Sequence, residues 1–459
     1  MPVSNTGILT YNSGVYNLLL NYNAPSSTIG STGSLLGTLY CALAKVEPWP
    51  VEEVPPAPEQ TQYYIKNFFK NMFAAKKIGT NDMSPVIERI NWTSGTVYDH
   101  YDDKEDMFEL NANGTLVKKF YVRNRFDQVF KCLWNNNDGQ STVEPVFEPG
   151  TFNPNQIFQG ADDYKWKYIY TISAGLKIKF MDESWMPVPA GNTVPNPVAT
   201  TAGIGSIDVI NVLDGGTGYD EANGPVTVVI TGDGNSASAN ATVSSGSITD
   251  IVVATTGSNY TYANVSIVSV IGSGANAIAS ISPIGGHGYN PISELGARNI
   301  MLTATFDKNE NGNIPTDIDF RQLGILVNPY SYFGVTYGLA NAEVYKTTTD
   351  FVVSAGFGAF TPDETVYQAE NGLLENSTFR ATVLSFDSTF NTVKLINTFG
   401  TATDDTVLYG ATSGTTRVLL QQQTPSFIKN SGYLIYLVNR TPVQRNEDGE
   451  EQFKLVLGY

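Results

Sequence analysis

Charge is scarce in this chain. Of 459 residues only 15% are Asp, Glu, Lys or Arg, and histidine occurs only at His100 and His287. Cysteine is limited to Cys41 and Cys132, which excludes a disulfide scaffold and gives no metal-ligand spacing, so both read as small buried apolar residues. No apolar run is long enough to cross a bilayer as a helix. Leu35–Ala44 is too short and too interrupted, and the amino terminus lacks the basic segment and apolar stretch of a signal peptide. The expectation is a chain made in the cytoplasm with no membrane partner. Bases are also outnumbered, 27 against 44 acids, and the net charge of −17 repels phosphate backbones. Nucleic acid is therefore not an expected partner.

What is abundant points to β structure. Gly (42) and Tyr (25) are frequent beside many Asn, Thr and Ser residues, the composition of a sheet-rich protein with many turns. At roughly 150 residues per domain the length predicts two to four domains.

The carboxyl-terminal stretch carries the first identifiable pattern. Gly432-Tyr-Leu-Ile-Tyr-Leu-Val-Asn-Arg-Thr-Pro-Val443 is followed by a charged turn and an alternating run with Phe453, Leu455, Leu457 and Tyr459 on one face. Asp448-Gly449 between the runs predicts a hairpin, whose apolar face needs a core supplied by much earlier residues. This stretch resembles the end of the dimeric baseplate wedge subunit of T-even-type contractile-tailed phages. Further segments are similar to the same family in the same order. They are Tyr16-Asn-Leu-Leu-Leu-Asn-Tyr22 with Ala44-Lys-Val-Glu-Pro-Trp-Pro50, Gln128-Val-Phe-Lys-Cys-Leu133, Tyr164-Lys-Trp-Lys-Tyr-Ile-Tyr-Thr-Ile172 with Trp185-Met-Pro-Val-Pro189, and Phe320-Arg-Gln-Leu-Gly-Ile-Leu-Val-Asn-Pro329. The likeness covers residues 1–195, 293–330 and 425–459. It implies a mainly β core flanked by helices, a homodimer, contacts with other baseplate wedge proteins, a virion location in the tail baseplate, and no enzymatic activity.

Periodicity fills in the elements. Tyr11, Val15, Leu18, Leu19 and Tyr22 are spaced for a first helix, and Tyr64, Ile65, Phe68, Phe69, Met72 and Phe73 for a second, with Lys66, Lys70, Lys76 and Lys77 among its polar positions. Pro48–Pro58 reads as a loop. Residues 86–134 read as an antiparallel meander, and Tyr164–Ile172 as a strand with one face buried and the other meeting water or a partner.

Two blocks fall outside the family pattern. Residues 204–290 contain an internal repeat: Gly215-Gly-Thr-Gly-Tyr219 returns as Thr256-Gly-Ser-Asn-Tyr260 and again as Gly285-Gly-His-Gly-Tyr289, and Thr231-Gly-Asp-Gly-Asn235 as Ile271-Gly-Ser-Gly-Ala275, the first two units being offset by about 40 positions. Residues 345–421 hold short, evenly spaced strands and predict a small barrel or sandwich. The fold expected is α+β, mainly β, an antiparallel β-sandwich core with flanking helices. Its core comprises residues 1–197, 293–330 and 425–459, with inserted β modules at 198–292 and 331–424.

Few residues suggest chemistry. Asp307-Lys-Asn-Glu-Asn-Gly-Asn313 matches the first half of a calcium loop, but Ile318 occupies the twelfth position where a bidentate Glu is needed, so an Asn-Gly turn is the better reading. Acid pairs of the kind glycoside hydrolysis uses occur at Asp102–Asp106 and Asp162-Asp163, both in predicted turns. His287, between glycines, reads as a turn residue or a structural hydrogen-bonding residue. No catalytic, cofactor-binding or metal-binding residue is assigned. The alternative from another class is a carbohydrate-binding adhesin or tail fibre module, with the Gly-Tyr repeats presenting aromatic rings to host glycans.

Overall fold

The computed structural model describes residues 38–147, 157–189 and 203–458. They form two compact units, one of Ser84–Met301 and the other of the residues up to Met83 together with Leu302–Tyr459. Both are mainly β with antiparallel ladders, and among the described residues α-helix is confined to Gln62–Asn71, Ala174–Phe180 and Pro291–Glu294. The helix expected over Thr10–Tyr22 lies outside the described residues.

In the unit that contains the carboxyl-terminal strands, Val344–Lys346, Met72–Ile78, Leu39–Ala44, Ile318–Val327 and Tyr433–Arg445 lie side by side in that order. Leu39–Ala44 has a neighbour on each edge and is buried throughout, which explains its unbroken apolar sequence. Cys41 pairs with Ile325 and Ile325 with Tyr436, so the early and closing strands share one sheet. The helix Gln62–Asn71 seats Phe68 and Phe69 in the same core. Gly324 lets it approach, since a Cβ there would meet the Phe68 ring at 2.6 Å. The Thr61 hydroxyl caps this helix by accepting from the Tyr64 amide at 3.2 Å. Met72 and Phe73, expected to continue the helix, open the strand Met72–Ile78 instead, because both side chains are buried in the sheet's core.

The closing strands do not form the expected hairpin ladder. Tyr433–Arg445 pairs with Ile318–Val327, whereas Glu450–Gly458 joins another sheet beside the strand that ends at Asp307. Asp448-Gly449 does make a turn, with the Gly449 amide on the Asn446 carbonyl at 3.1 Å. The corner is held by Arg445, whose buried guanidinium pairs with Glu451 at 2.5 Å and donates to the Lys308 carbonyl. Phe453 then packs edge-on against Phe306 and Phe320. The same unit carries a closed barrel of six strands: Thr349–Val353, Thr392–Gly400, Phe379–Asp387, Thr365–Gln368, Val407–Gly410 and Thr416–Gln423. Phe351, Phe379, Val383, Leu395 and Leu419 fill it.

The Ser84–Met301 unit is centred on a four-stranded sheet, ordered Tyr121–Arg123, Gln128–Trp134, Lys165–Thr171 and Ile157–Gln159. Tyr164 and Trp166 stack at 5.5 Å in its core, with Tyr98 edge-on to Trp166. The meander expected over residues 86–134 is only partly formed. Between Glu88 and Tyr121 the chain is largely irregular and drops Tyr98, Met107 and Phe120 into the core as single anchors. Lys165–Thr171 also departs from expectation, because both of its faces are buried. Lys165 and Lys167, on the face expected to meet water or a partner, instead face Asp250 at 2.7 Å and Asp208 at 3.9 Å in the glycine-rich block of the same chain.

That block is an intertwined pair rather than a stack. Its main sheet runs Asn235–Ser244, Ser247–Ser258, Ile207–Asp214 and Asn276–Ile281. Ile210 pairs with Ile251, its equivalent 41 positions later, where the two halves meet. The tyrosines are exchanged between halves. Tyr219 lies on Gly272 and Tyr260 on Gly234, where a Cβ would meet the rings at 2.2 and 2.3 Å. The repeating Gly…Tyr pattern is therefore the packing rule of the module's thin core.

Candidate functional site

Among the described residues, exposed apolar side chains gather on a two-stranded hairpin, Tyr330–Phe333 with Thr336–Leu339, turned at Gly334 with φ +67°. One edge is tied down. The Tyr332 amide donates to Ser426 O at 2.8 Å, Ile428 N–H to Tyr330 O at 2.9 Å, and buried Ser331 meets the Tyr345 hydroxyl at 2.9 Å. Among the described residues the strand Thr336–Leu339 has no ladder partner on its other edge. Tyr332, Phe333, Tyr337 and Leu339 are exposed, Val335 completely so, and Tyr337 packs edge-on to Tyr330 and Tyr332. From Gln322 through Ala342 no residue is charged. An open edge without charge, proline or bulge pairs readily with another strand.

A cleft of about 640 Å³ opens in the same unit, between the helix Gln62–Asn71 and the barrel strands Phe379–Asp387 and Thr392–Gly400. Lys45, Lys66, Lys70 and Arg321 line it with Trp49 and Tyr63. Lys45 is held by Asp319 at 2.7 Å and Asp363 at 2.9 Å, and Arg321 by Glu52 at 2.8 Å. Burial raises the pKa of the Asp319 carboxyl, and Lys45 and Arg321 more than reverse it. The Trp49 indole donates to Arg440 O at 2.8 Å, while Tyr63 is 80% exposed.

In the other unit, a buried charge cluster joins the aromatic sheet to the glycine-rich block. The Lys131 ammonium lies 3.0 Å from Glu294 Oε1 and over the Tyr101 ring at 3.4 Å. His287 Nδ1 lies 2.7 Å from Glu294 Oε1, and the Gly288 amide donates to Oε2 at 2.5 Å. Burial raises the pKa of the Glu294 carboxyl, but Lys131, His287 and the Gly288 amide leave it at about 2. Ionised, it only accepts, so His287 Nδ1 carries a proton and the Lys131 contact to that nitrogen at 3.5 Å is no hydrogen bond. Burial, then Lys131, pulls the His287 pKa below its ordinary range. Lys131, His287 and Glu294 have almost no exposed side chain, so the cluster has acid–base groups but no access for a substrate.

The residues that suggested chemistry in the sequence are engaged locally. Glu310, in the calcium-like loop, accepts from the Asp307 amide at 2.9 Å and pairs with Lys76 at 2.6 Å. Asp162 accepts from the Thr142 and Val143 amides at 2.6 and 2.9 Å. Asp102 and Asp106 close turns onto the amides of Lys104 and Phe108, both at 2.9 Å, and Glu105 pairs with Lys118. His100 Nδ1 meets Asn135 Oδ1 at 3.2 Å. Cys41 and Cys132 are buried free thiols, pushed by burial above their ordinary range. Among the described residues no group of three or more His, Cys, Asp or Glu could hold a metal ion, and no helix is long and apolar enough to cross a membrane.

Sequence reasoning placed His287 in a structural role but missed Lys131 and Glu294 as its partners. The available signal was a lysine inside the apolar run Gln128-Val-Phe-Lys-Cys-Leu133. No family model matches the chain, and no curated protein sequence matches it significantly.

Proposed function

We propose that the chain is a structural, non-enzymatic component of a contractile phage tail baseplate wedge, which assembles as a homodimer and bridges neighbouring wedge proteins. Beyond the resemblance of its sequence, one observation carries this reading. A chain of net charge −17 keeps a 21-residue stretch free of charge and folds part of it into an open-edged hairpin with aromatic faces. Two copies repel over most of their surface and can approach there at least electrostatic cost. An antiparallel edge presented by two identical strands is self-complementary, as a two-fold dimer requires.

The remaining features fit such work. The antiparallel sheets and the closed barrel make stiff surfaces, and the cluster at Lys131, His287 and Glu294 is sealed, so it braces rather than reacts. The burial of Tyr219 and Tyr260 weighs against glycan recognition by the first two Gly-Tyr repeats, whereas Tyr289 of the third is exposed. In this reading the protein resides in the virion tail, holds its neighbours before contraction and passes rearrangement to the sheath. The test is pull-down of the purified chain with the other wedge proteins of its parent phage, together with its mass in solution. A monomer that retains none of them contradicts the proposal.

A further inference from the structure

The cleft beside the helix Gln62–Asn71 is not explained by self-assembly, and the residues lining it include more cations than acids although the chain is acidic. Four cations line it, Lys45, Lys66, Lys70 and Arg321, against two acids, Glu47 and Asp363. Lys45 and Arg321 are already paired with acids of the same unit. The ammonium groups of Lys66 and Lys70 make no ion pair among the described residues and stand exposed on one helix face. They are the charges left for a ligand.

We propose that this cleft is a docking groove for an extended acidic segment of another protein, whose alternate carboxylates meet Lys66 and Lys70 while an apolar side chain packs on Trp49 and Tyr63. The spacing matches. Side chains four apart on a helix have Cβ atoms about 5–6 Å apart, and alternate side chains of an extended strand repeat at about 6–7 Å. Thr365, Thr382, Asn67 and Asn397 add donors and acceptors for a peptide backbone. Trp49 is pre-oriented by its bond to Arg440, so its ring is an anchor ordered before binding.

Other anions fit less well. A nucleic acid would gain only two free phosphate contacts while the rest of an acidic chain repels it. Inorganic phosphate needs converging, fixed donors, whereas these lysines are exposed side chains without a backbone nest. The proposal does not depend on the wedge reading, and its failure leaves the oligomeric state untouched.

The experiment titrates the full chain into fluorescein-labelled Glu-Val-Glu-Val-Glu-Val peptide and follows anisotropy. The expected result is saturable binding in about 50 mM salt, weakened at least about tenfold at about 0.5 M salt and likewise by Lys66→Glu with Lys70→Glu. Lys104→Glu, on an exposed loop of the other unit, changes the affinity less than about twofold. Thr382→Trp, which fills the cleft from the barrel side and leaves both lysines in place, also weakens binding, guarding against a folding defect in the double variant. Hexagalacturonate and inorganic phosphate are run as competitors and are expected to displace the peptide poorly. The proposal is overturned by absence of saturable binding at millimolar protein, by equal loss in Lys104→Glu, or by hexagalacturonate binding more tightly than the peptide.

Discussion

Tyr219 lies flat on Gly272 while its counterpart Tyr260 lies flat on Gly234, so each half of the glycine-rich module is closed by the other's aromatic ring. The hydroxyls add the same bond twice, accepting from the Ala275 amide at 3.2 Å and the Ala237 amide at 3.4 Å. The halves are thus interdependent. Tyr219→Ala and Tyr260→Ala should each destabilise this unit by about 3–5 kcal/mol, and Gly272→Val or Gly234→Val should do so by at least about 1–3 kcal/mol through overpacking. Urea denaturation checks the pairing: a stack of independent repeats would let one half unfold alone, giving two transitions instead of one.

The second expectation concerns Lys131 and Glu294, paired at 3.0 Å out of reach of water. Lys131→Met strands a buried carboxylate beside His287 and should cost about 3–5 kcal/mol. Adding Glu294→Gln should recover a large part of that loss, because no charge is then left unpaired. A double-variant loss equal to the sum of the two single-variant losses, in a thermodynamic cycle, would show that the pair is not coupled.

Acid should loosen the same junction. The folded pKa values of both Glu294 and His287 are depressed, the former to about 2. Each group therefore adds stability above its unfolded pKa and loses it as pH falls through the folded one. The window opens near pH 6.5, where unfolded His287 takes up a proton, and continues below pH 4.5 as unfolded Glu294 does the same. Lys131 has the opposite bearing at neutral pH, since its burial costs stability there and its depressed pKa relieves that cost only toward alkaline pH. Chemical denaturation from pH 7 to pH 4 should show falling stability, and His287→Gln should flatten the part near pH 6. An unchanged slope in that variant would remove His287 from the account.

A fourth expectation tests how the helix Gln62–Asn71 is seated. Gly324→Val places carbon against the Phe68 ring and Leu434, where even a Cβ would come within 2.6 and 2.8 Å. It should destabilise its unit by about 1–3 kcal/mol or more, and the thermal midpoint is the readout. Gly334→Asn, at a positive-φ turn with open space around it, should be nearly silent by comparison.

The helix from Gln62 and the module expected as a small barrel or sandwich, which is a closed barrel, were legible in the sequence because each follows a local period or turn signal. The errors lay where a distant element decides the outcome. Lys165 and Lys167 alternate like solvent-facing residues, yet Asp250 and Asp208 cover them, and no pattern within Lys165–Thr171 announces acids that lie much later in the chain. Glu450–Gly458 has the alternation of a hairpin partner, but Arg445 turns the corner and sends it to another sheet. Lys66 and Lys70 were visible as a polar helix face. The cleft they border was not, because its opposite wall comes from the barrel.

The assembly reading stands on the uncharged hairpin, and light scattering on the eluting protein tests it most directly. The wild-type chain should give twice its 49.8 kDa mass, and Val335→Lys with Tyr337→Lys, which adds charge to the open edge, should give the single mass with an unchanged thermal midpoint. A wild-type mass of one chain at tens of micromolar protein, or a double-lysine variant that remains a dimer, would contradict the account.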